Sequence, residues 1–275
     1  MSLAKTLKVL ARSRSRSFTR DFNAYQGGQG SSGTASVTWW NGDGRAVHYR
    51  RGTSDAGLVY DILFKPGRKS EYWLPEDIEP KVVLDVGGNI GIAARYLSFR
   101  FPSAQVHSFE PVPANYELAR RNLAQTRACV HPFGLAGKSA MVDLGLPTGA
   151  DANRGGFSLY CVGDGARTIR GEVRAADQAL AELGLASADV IKLDVEGAEH
   201  DIIAALPDSV LAGATWIYGE LHSELVDPRN AFRVLERLAA WFDIGMHKPL
   251  RKRNWFFDAC NRRYSARFRD FRRGR

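Results

Sequence analysis

Cysteine is scarce in this chain, with three in 275 residues: Cys129, Cys161 and Cys260. Their separations of 32 and 99 residues match neither a zinc-ligand pattern nor a C-x-x-C redox pair. An odd, sparse set excludes a disulfide framework and fits a reducing compartment, so a cytoplasmic location is expected. No run reaches the ~18 apolar residues that a membrane-spanning helix needs. Leu3, Leu7, Val9 and Leu10 open the chain, but Lys5 and Lys8 interrupt them, too much charge for the core of a secretory signal. No repeat of roughly 20–50 residues recurs, which excludes a solenoid or propeller. The G-x-G-x-x-G fingerprint of dinucleotide binding is missing as well. What is present is an ordinary globular balance, 44% apolar and 25% charged residues, enough for a sizeable core.

The net charge of +8 is uneven. Residues 1–20 hold six Lys/Arg and no acid, and residues 251–275 hold ten Lys/Arg against Asp258 and Asp270. The two ends together carry +14, which leaves residues 21–250 at −6. Terminal arginines with interleaved Tyr264, Phe268 and Phe271 fit an anionic membrane or an RNA surface, whereas a solvated tail requires no partner. Arg-Ser alternation and then a Gln/Gly/Ser run between residues 11 and 35 read as flexible. The chain therefore divides into a flexible basic segment over 1–35, a lead-in hairpin and helix over 36–80, an α/β domain over 81–260 and a basic tail over 261–275.

In the lead-in, Val37–Trp40 and Ala46–Tyr49 flank Asn41-Gly-Asp-Gly, which predicts a hairpin. Ser54 is placed to cap a short helix carrying Leu58, Val59, Ile62 and Leu63. From Lys81 short apolar runs alternate with helical patterns. Strands are expected over 82–86, 105–110, 129–134, 189–195 and 215–221. Helices are expected near 92–97, 114–124 and 202–206, and over 229–242, the last burying Phe232, Leu235, Leu238 and Phe242. This alternation indicates a doubly wound, Rossmann-like parallel sheet. The last two runs, 242–247 and 254–259, are separated by a turn-length gap too short for a parallel crossover, so they should form an antiparallel hairpin and bring the sheet to seven strands.

The segment Leu84-Asp-Val-Gly-Gly-Asn-Ile-Gly91 joins a strand to a helix, where backbone N–H groups meet polar ligands. Asp85, two positions before Gly87, would repel a pyrophosphate but suits a cationic or hydroxylated ligand. S-adenosylmethionine fits, with its sulfonium, amino acid end and ribose. Gly87 and Gly91 allow close backbone approach, and Gly88 and Asn89 complete the expected cofactor-binding loop. Glu110 ends the second strand 23 residues after Gly87, close to the ~20-residue offset at which an acid accepts from ribose hydroxyls.

These segments resemble the FkbM family of S-adenosylmethionine-dependent methyltransferases. Arg51-Gly-Thr-Ser-Asp55 is similar to the family's lead-in. Val83–Gly91 is similar to its cofactor loop, with Gly88 where alanine is commoner, and Phe109-Glu-Pro-Val-Pro113 to its second-strand end. Ile191-Lys-Leu-Asp-Val-Glu-Gly-Ala-Glu199 resembles its most distinctive motif. The likeness spans roughly residues 50–258 and implies a seven-stranded methyltransferase sheet with a reversed final strand. It also implies O-methylation of sugars or other hydroxylated natural products. The basic termini lie outside it.

Methyl transfer from a sulfonium needs an oriented acceptor and a route for its proton, worth about 7–11 kcal/mol for orientation and a factor of ~10²–10⁴ for a base. Ligands in such sheets bind beyond the strands' carboxyl ends. Asp194 and Glu196 lie at the fourth strand's end, and Glu220 and His222 at the fifth's, on one face by the two-residue period. These four are the candidate catalytic residues, with Asp194 and His222 leading. Glu196 and Glu199 also suit a helix start for dipole reasons alone. No metal is assigned, although Asp194, Glu220 and His222 carry donor types that suit a divalent cation. An RNA or DNA methyltransferase using the basic ends is the rival reading; the carboxylates of Leu193-Asp-Val-Glu-Gly would repel a phosphate backbone and weigh against it. A non-catalytic binding module is the third, against which the full set of loop and strand-end acids argues. The expected partners are a hydroxylated small-molecule or glycan acceptor and, through the termini, an anionic membrane surface. Residues 140–175 and the amino-terminal lead are expected to build the substrate cap.

Overall fold

Four of the five apolar runs between residues 82 and 221 are followed directly by a helix that carries the chain back across a sheet, and the run at 129–134 leads into further strands instead. The fold is seen in a computed structural model, which describes residues 2–28, 32–146, 156–160, 167–222, 227, 229–247 and 254–266. In chain order the elements are α1 (Leu3–Ser13), α2 (Arg16–Gln26), β1 (Thr34–Thr38), β2 (Ala46–Arg50), α3 (Asp55–Val59), β3 (Val82–Val86), α4 (Ile92–Arg100), β4 (Gln105–Phe109) and α5 (Pro113–Leu123). They continue as β5 (Cys129–His131), β6 (Gly134–Ala136), β7 (Ala140–Leu146), β8 (Arg167–Ala175), α6 (Ala176–Glu182), β9 (Val190–Leu193), α7 (Glu199–Ala205), α8 (Asp208–Gly213) and β10 (Trp216–Leu221). The last are α9 (Arg229–Leu238), β11 (Phe242–His247) and β12 (Trp255–Asn261).

The main sheet has seven strands in the order β11-β12-β10-β9-β3-β4-β5. β10, β9, β3, β4 and β5 are parallel, and β12 pairs antiparallel with both β10 and β11. The expected doubly wound sheet with a reversed final hairpin is what the chain forms. Its two faces follow the two-residue period of strands. Val83, Val190 and Trp216 enter one core with α4 and the amino-terminal elements, while Leu84, Ile191 and Ile217 enter the other with α6, α7 and α9.

Several local expectations change. The first 35 residues contain two helices packed on the domain rather than a flexible segment alone. Ser2 and Ser15 accept from the N–H groups of Lys5 and Phe18 and cap α1 and α2. Val9, Phe18 and Phe22 are buried, with Phe18 edge-on to Tyr49 at 5.4 Å between ring centres. Asp21 accepts from the Tyr49 hydroxyl at 2.8 Å and from Arg51 Nε at 3.1 Å. The lead-in hairpin forms as expected, with Val37 opposite Val47. Ser54 makes no side-chain cap; Thr53 Oγ1 accepts from the Asp55 N–H instead, at 3.2 Å. α9 stops at Leu238, and Phe232 is 71% exposed. The stripe facing the sheet is Ala231, Val234, Leu235 and Leu238, and Phe232 lies about 100° around the helix from Ala231. β6, β8 and β7 form a second, three-stranded sheet that sequence periodicity did not separate from the cap. Residues 147–155, 161–166 and 267–275, including parts of the expected cap and tail, lie outside the described residues.

The packing of α2 makes a direct prediction. Phe18→Ala should lower the unfolding free energy by about 3–5 kcal/mol, measured by urea denaturation. An unchanged midpoint would mean that α1 and α2 are appended to the domain rather than part of its core.

Candidate functional site

β3 ends at Val86, and the chain turns through Gly87 at φ 88°. A Cβ there would lie 1.8 Å from the Asp194 carbonyl oxygen, so only glycine fits. Below the turn a row of side chains crosses three strands, because Asp85 is registered with Ser108 on β4 and with Lys192 on β9. Ser108 Oγ donates to Asp85 at 2.8 Å, and Lys192 Nζ stands 3.1 Å from the other Asp85 oxygen. Lys192 Nζ also donates to the Gly87 carbonyl. Burial opposes the lysine's charge, but attraction to Asp85 and then Asp194 outweighs it and holds its pKa above the ordinary lysine value.

Glu110, just past β4, clamps the loop. Its Oε2 accepts from the Asn89 N–H at 2.7 Å. Its Oε1 accepts from Val112 N–H at 2.9 Å and from Asn115 Nδ2 at 3.2 Å. Burial raises its pKa to about 7 against the opposing pull of these three donors. Gly87, Asn89 and Glu110 form one wall of a cleft of about 500 Å³. Asn89 Oδ1 is buried without a hydrogen-bond partner among the described residues. Asp85, Gly88 and Gly91 stand behind that wall. Asp85 is fully buried in its ion pair. Gly88 leaves no room between the loop and Ser108, and Gly91 lets α4 approach Ala119 of α5.

The same cleft is lined by Asp194, Glu196 and Glu220 from the ends of β9 and β10, with Asp194 directly beside the Gly87 turn. Glu196 has a left-handed backbone, φ 54°, unusual for a side chain of its size. His222 lies behind these acids, 3% exposed. Its Nδ1 bonds Glu199 Oε1 at 2.6 Å, and its Nε2 stands 3.3 Å from Glu196, 3.8 Å from Asp194 and 3.9 Å from Glu220. Burial lowers the imidazole's pKa, but the Glu199 hydrogen bond and the surrounding carboxylates override it and lift it to about 10. Burial raises Glu196 to about 7; His222 opposes this, and Asp194 and Glu220 add to it. Tyr72 OH donates to Asp194 at 3.3 Å, and Asn254 Nδ2 to Glu220 at 2.7 Å. A second cleft of about 400 Å³ shares Asp194 and Glu220 with the first and is walled by Tyr72, Tyr218 and Phe256.

All four candidate catalytic residues therefore converge, and three of the six loop candidates face the same space. Sequence reasoning missed Lys192, Glu199's bond to His222, and Tyr72. Lys192 had a signal: a lysine inside Ile191-Lys-Leu193 on a central strand is buried and requires a charged partner.

The Gly loop beside strand-end acids on a sheet with a reversed last strand defines a Rossmann-like domain of methyltransferase type. The Methyltransferase FkbM domain matches residues 85–240, more than half of the chain, and the chain belongs to that family. The AMB antimetabolite synthetase AmbE of Pseudomonas aeruginosa is 29% identical over 230 residues, 70% of this chain and 11% of that protein. The 31-O-demethyl-FK506 methyltransferase FkbM of Streptomyces tacrolimicus is 26% identical over 169 residues, 51% of this chain and 65% of that one. The 2-O-methyltransferase NoeI of Sinorhizobium fredii is 29% identical over 186 residues, 61% of this chain and 74% of that one. The first two matches thus cover less than two thirds of the relatives' own lengths.

Glu110 gives the site a pH signature in stability. Its proton is held to about pH 7 in the folded chain, against an ordinary value of 4.5. Its favourable contribution is complete below the lower value and lost as pH rises through the upper one. Between them the wild type should lose about 3 kcal/mol of stability relative to Glu110→Gln. Urea titrations of both proteins at pH 4.5 and pH 7.5 measure this, and parallel pH profiles would remove the assignment.

Proposed function

We propose that this chain is an S-adenosylmethionine-dependent O-methyltransferase acting on a hydroxyl of a sugar, a glycan or another hydroxylated natural product. The observation that carries the reading is one cleft lined by both the Gly87–Asn89 turn with Glu110 and the Asp194, Glu196 and Glu220 carboxylates. The residues fit the methyl donor. The orphaned Asn89 Oδ1 can receive an N–H or O–H, Glu110 can accept from hydroxyls, and the glycine turn allows close approach. The acids suit a sulfonium cation and would repel a phosphate, which also disfavours nucleic acid. When bound, S-adenosylmethionine supplies an electrophilic methyl group.

The chain's own residues orient the acceptor and take its proton. A hydroxyl in the cleft donates to a carboxylate oxygen of Asp194 or Glu196, which receives the proton as the oxygen is methylated. His222 is off the wall and its Nδ1 is bonded to Glu199, so it positions those carboxylates rather than acting as the base. Tyr72 and Tyr218, with ring centres 5.4 Å apart, offer the second cleft flat apolar surfaces suited to a sugar face. Two relatives, a 2-O-methyltransferase and a 31-O-demethyl-FK506 methyltransferase, support an oxygen acceptor.

Calorimetry with S-adenosylhomocysteine should give a 1:1 complex, weakened at least about tenfold in folded Glu110→Ala, the loss of one or two hydrogen bonds to a charged group. Asp194→Asn should keep that affinity within about threefold while methyl transfer falls by ~10²–10⁴. A labelled-methyl screen against glycans, polyketides and RNA identifies the acceptor class. Transfer to RNA alone would overturn the hydroxyl assignment, and absence of homocysteine-adduct binding would overturn the whole reading.

Peripheral contact with an anionic membrane belongs to the same proposal. Among the described residues no helix is long and apolar enough to cross a membrane. Leu3 and Leu7 of α1 are 74% and 55% exposed beside exposed Lys5 and Lys8. Cosedimentation with anionic vesicles should drop at high salt and in Leu3→Glu/Leu7→Glu, since each basic residue contributes about 1 kcal/mol near the surface. Equal sedimentation of both proteins would leave α1 without this role.

A further inference from the structure

We propose that Asp194, Glu220 and His222 form a site for one divalent metal cation, of the mixed oxygen and imidazole kind that Mn²⁺ occupies. One carboxylate oxygen from each acid and one imidazole nitrogen all lie within 4.8 Å of one another. The proposal deepens the methyl-transfer reading and rests on it for the cation's use, since Asp194 and Glu220 line both clefts.

The donors come from the carboxyl ends of two paired parallel strands, β9 and β10, registered through Leu193 and Gly219. That is a rigid base for ligands. His222 supplies the observation that acids alone would not. It is 3% exposed, and its Nδ1 is committed to Glu199 at 2.6 Å, so Nε2 is the nitrogen aimed into the cluster. Carboxylate oxygens of Glu196, Asp194 and Glu220 converge on Nε2 at 3.3, 3.8 and 3.9 Å. A buried imidazole turned by a carboxylate on its far nitrogen is the arrangement that orients a metal-bound histidine. Asp194 and Glu220 are each held by a further donor, Tyr72 OH and Asn254 Nδ2.

The spacing is close to that of a formed site. Neighbouring ligand atoms about 2.1–2.2 Å from a cation lie roughly 3.0–3.5 Å apart, so a side-chain shift of about 0.5 Å closes the geometry. Glu196 is the nearest acid to Nε2, at 3.3 Å, and keeps that place with a left-handed backbone. It stands ready as a fourth ligand or as the acceptor for a bound water. Four carboxylates surround one imidazole, and a divalent charge balances them better than a single proton does. One nitrogen with two or three carboxylates favours Mn²⁺, Fe²⁺ or Zn²⁺ over Ca²⁺. A cation here would take the acceptor hydroxyl as a further ligand and ease removal of its proton.

The test uses the full chain, stripped with chelator and dialysed, without methyl donor. Mn²⁺ is titrated while free Mn²⁺ is read by its spin-resonance signal, with Zn²⁺ and Mg²⁺ as competitors. One saturable site per chain is expected. Asp194→Asn and Glu220→Gln should each weaken it at least tenfold, whereas Glu71→Gln, an acid on the same cleft outside the cluster, should stay within twofold. Spin-echo spectra of the wild-type complex should show coupling to an imidazole nitrogen, a readout that depends on no variant. Absence of a saturable site below 1 mM, absence of the nitrogen coupling, or equal weakening by Glu71→Gln overturns the proposal. Homocysteine-adduct binding to the metal-free protein is measured separately. Binding of the adduct without Mn²⁺ uptake defeats only the cation site, and the reverse defeats only the methyl-transfer reading.

Discussion

The buried pair of Asp85 and Lys192, with Ser108 beside it, is the constraint on which the rest of the site depends. Taking both charges out of water costs several kcal/mol per ion, and replacement by apolar residues would often be neutral for stability. What the pair adds is position. It ties the ends of β4, β3 and β9 in one register, and the lysine's remaining reach extends to the Gly87 carbonyl. A slip of one residue in β9 would turn Lys192 into an apolar face and move every side chain of the strand to the other side. The loop above and the acids beyond β9 thus inherit their places from one ion pair.

Above that base, charge is arranged in two unlike halves. On the loop side a single carboxylate, Glu110, is surrounded by N–H donors that also shape the turn. At the ends of β9 and β10 acids outnumber cations, and one imidazole is shared among four of them. The first half is suited to holding a ligand in a fixed pose. The second favours whatever positive charge enters it, whether a sulfonium or a metal ion.

The sheet was legible because its signals are local. Short β-rich runs, helical spacing between them and a six-residue gap before the last strand suffice to give seven strands and a reversed hairpin. Glu110 and the four strand-end residues were legible for the same reason, since each lies at the end of an apolar run. The direction of Asp85 was not. Whether a strand acid points at a ligand or at a neighbouring strand depends on register, and register is a property of pairs. The amino-terminal helices were hidden by composition. Arginines and serines dominate residues 11–20, yet Ser15 with Phe18 and Phe22 was a cap followed by an i, i+4 apolar pair. The small second sheet has no such signal, because β6 has three residues and β7 buries only its last three, with the apolar Ala140 and Met141 exposed at its start.

Glu196 has a consequence for how this chain could change over generations. Its left-handed backbone suits glycine or asparagine better than glutamate. Replacement by glycine would relieve about 1–2 kcal/mol of strain. Selection for heat resistance alone would therefore drive this position towards glycine and discard its carboxylate, so the glutamate survives only where the lineage is also screened for what the cleft does.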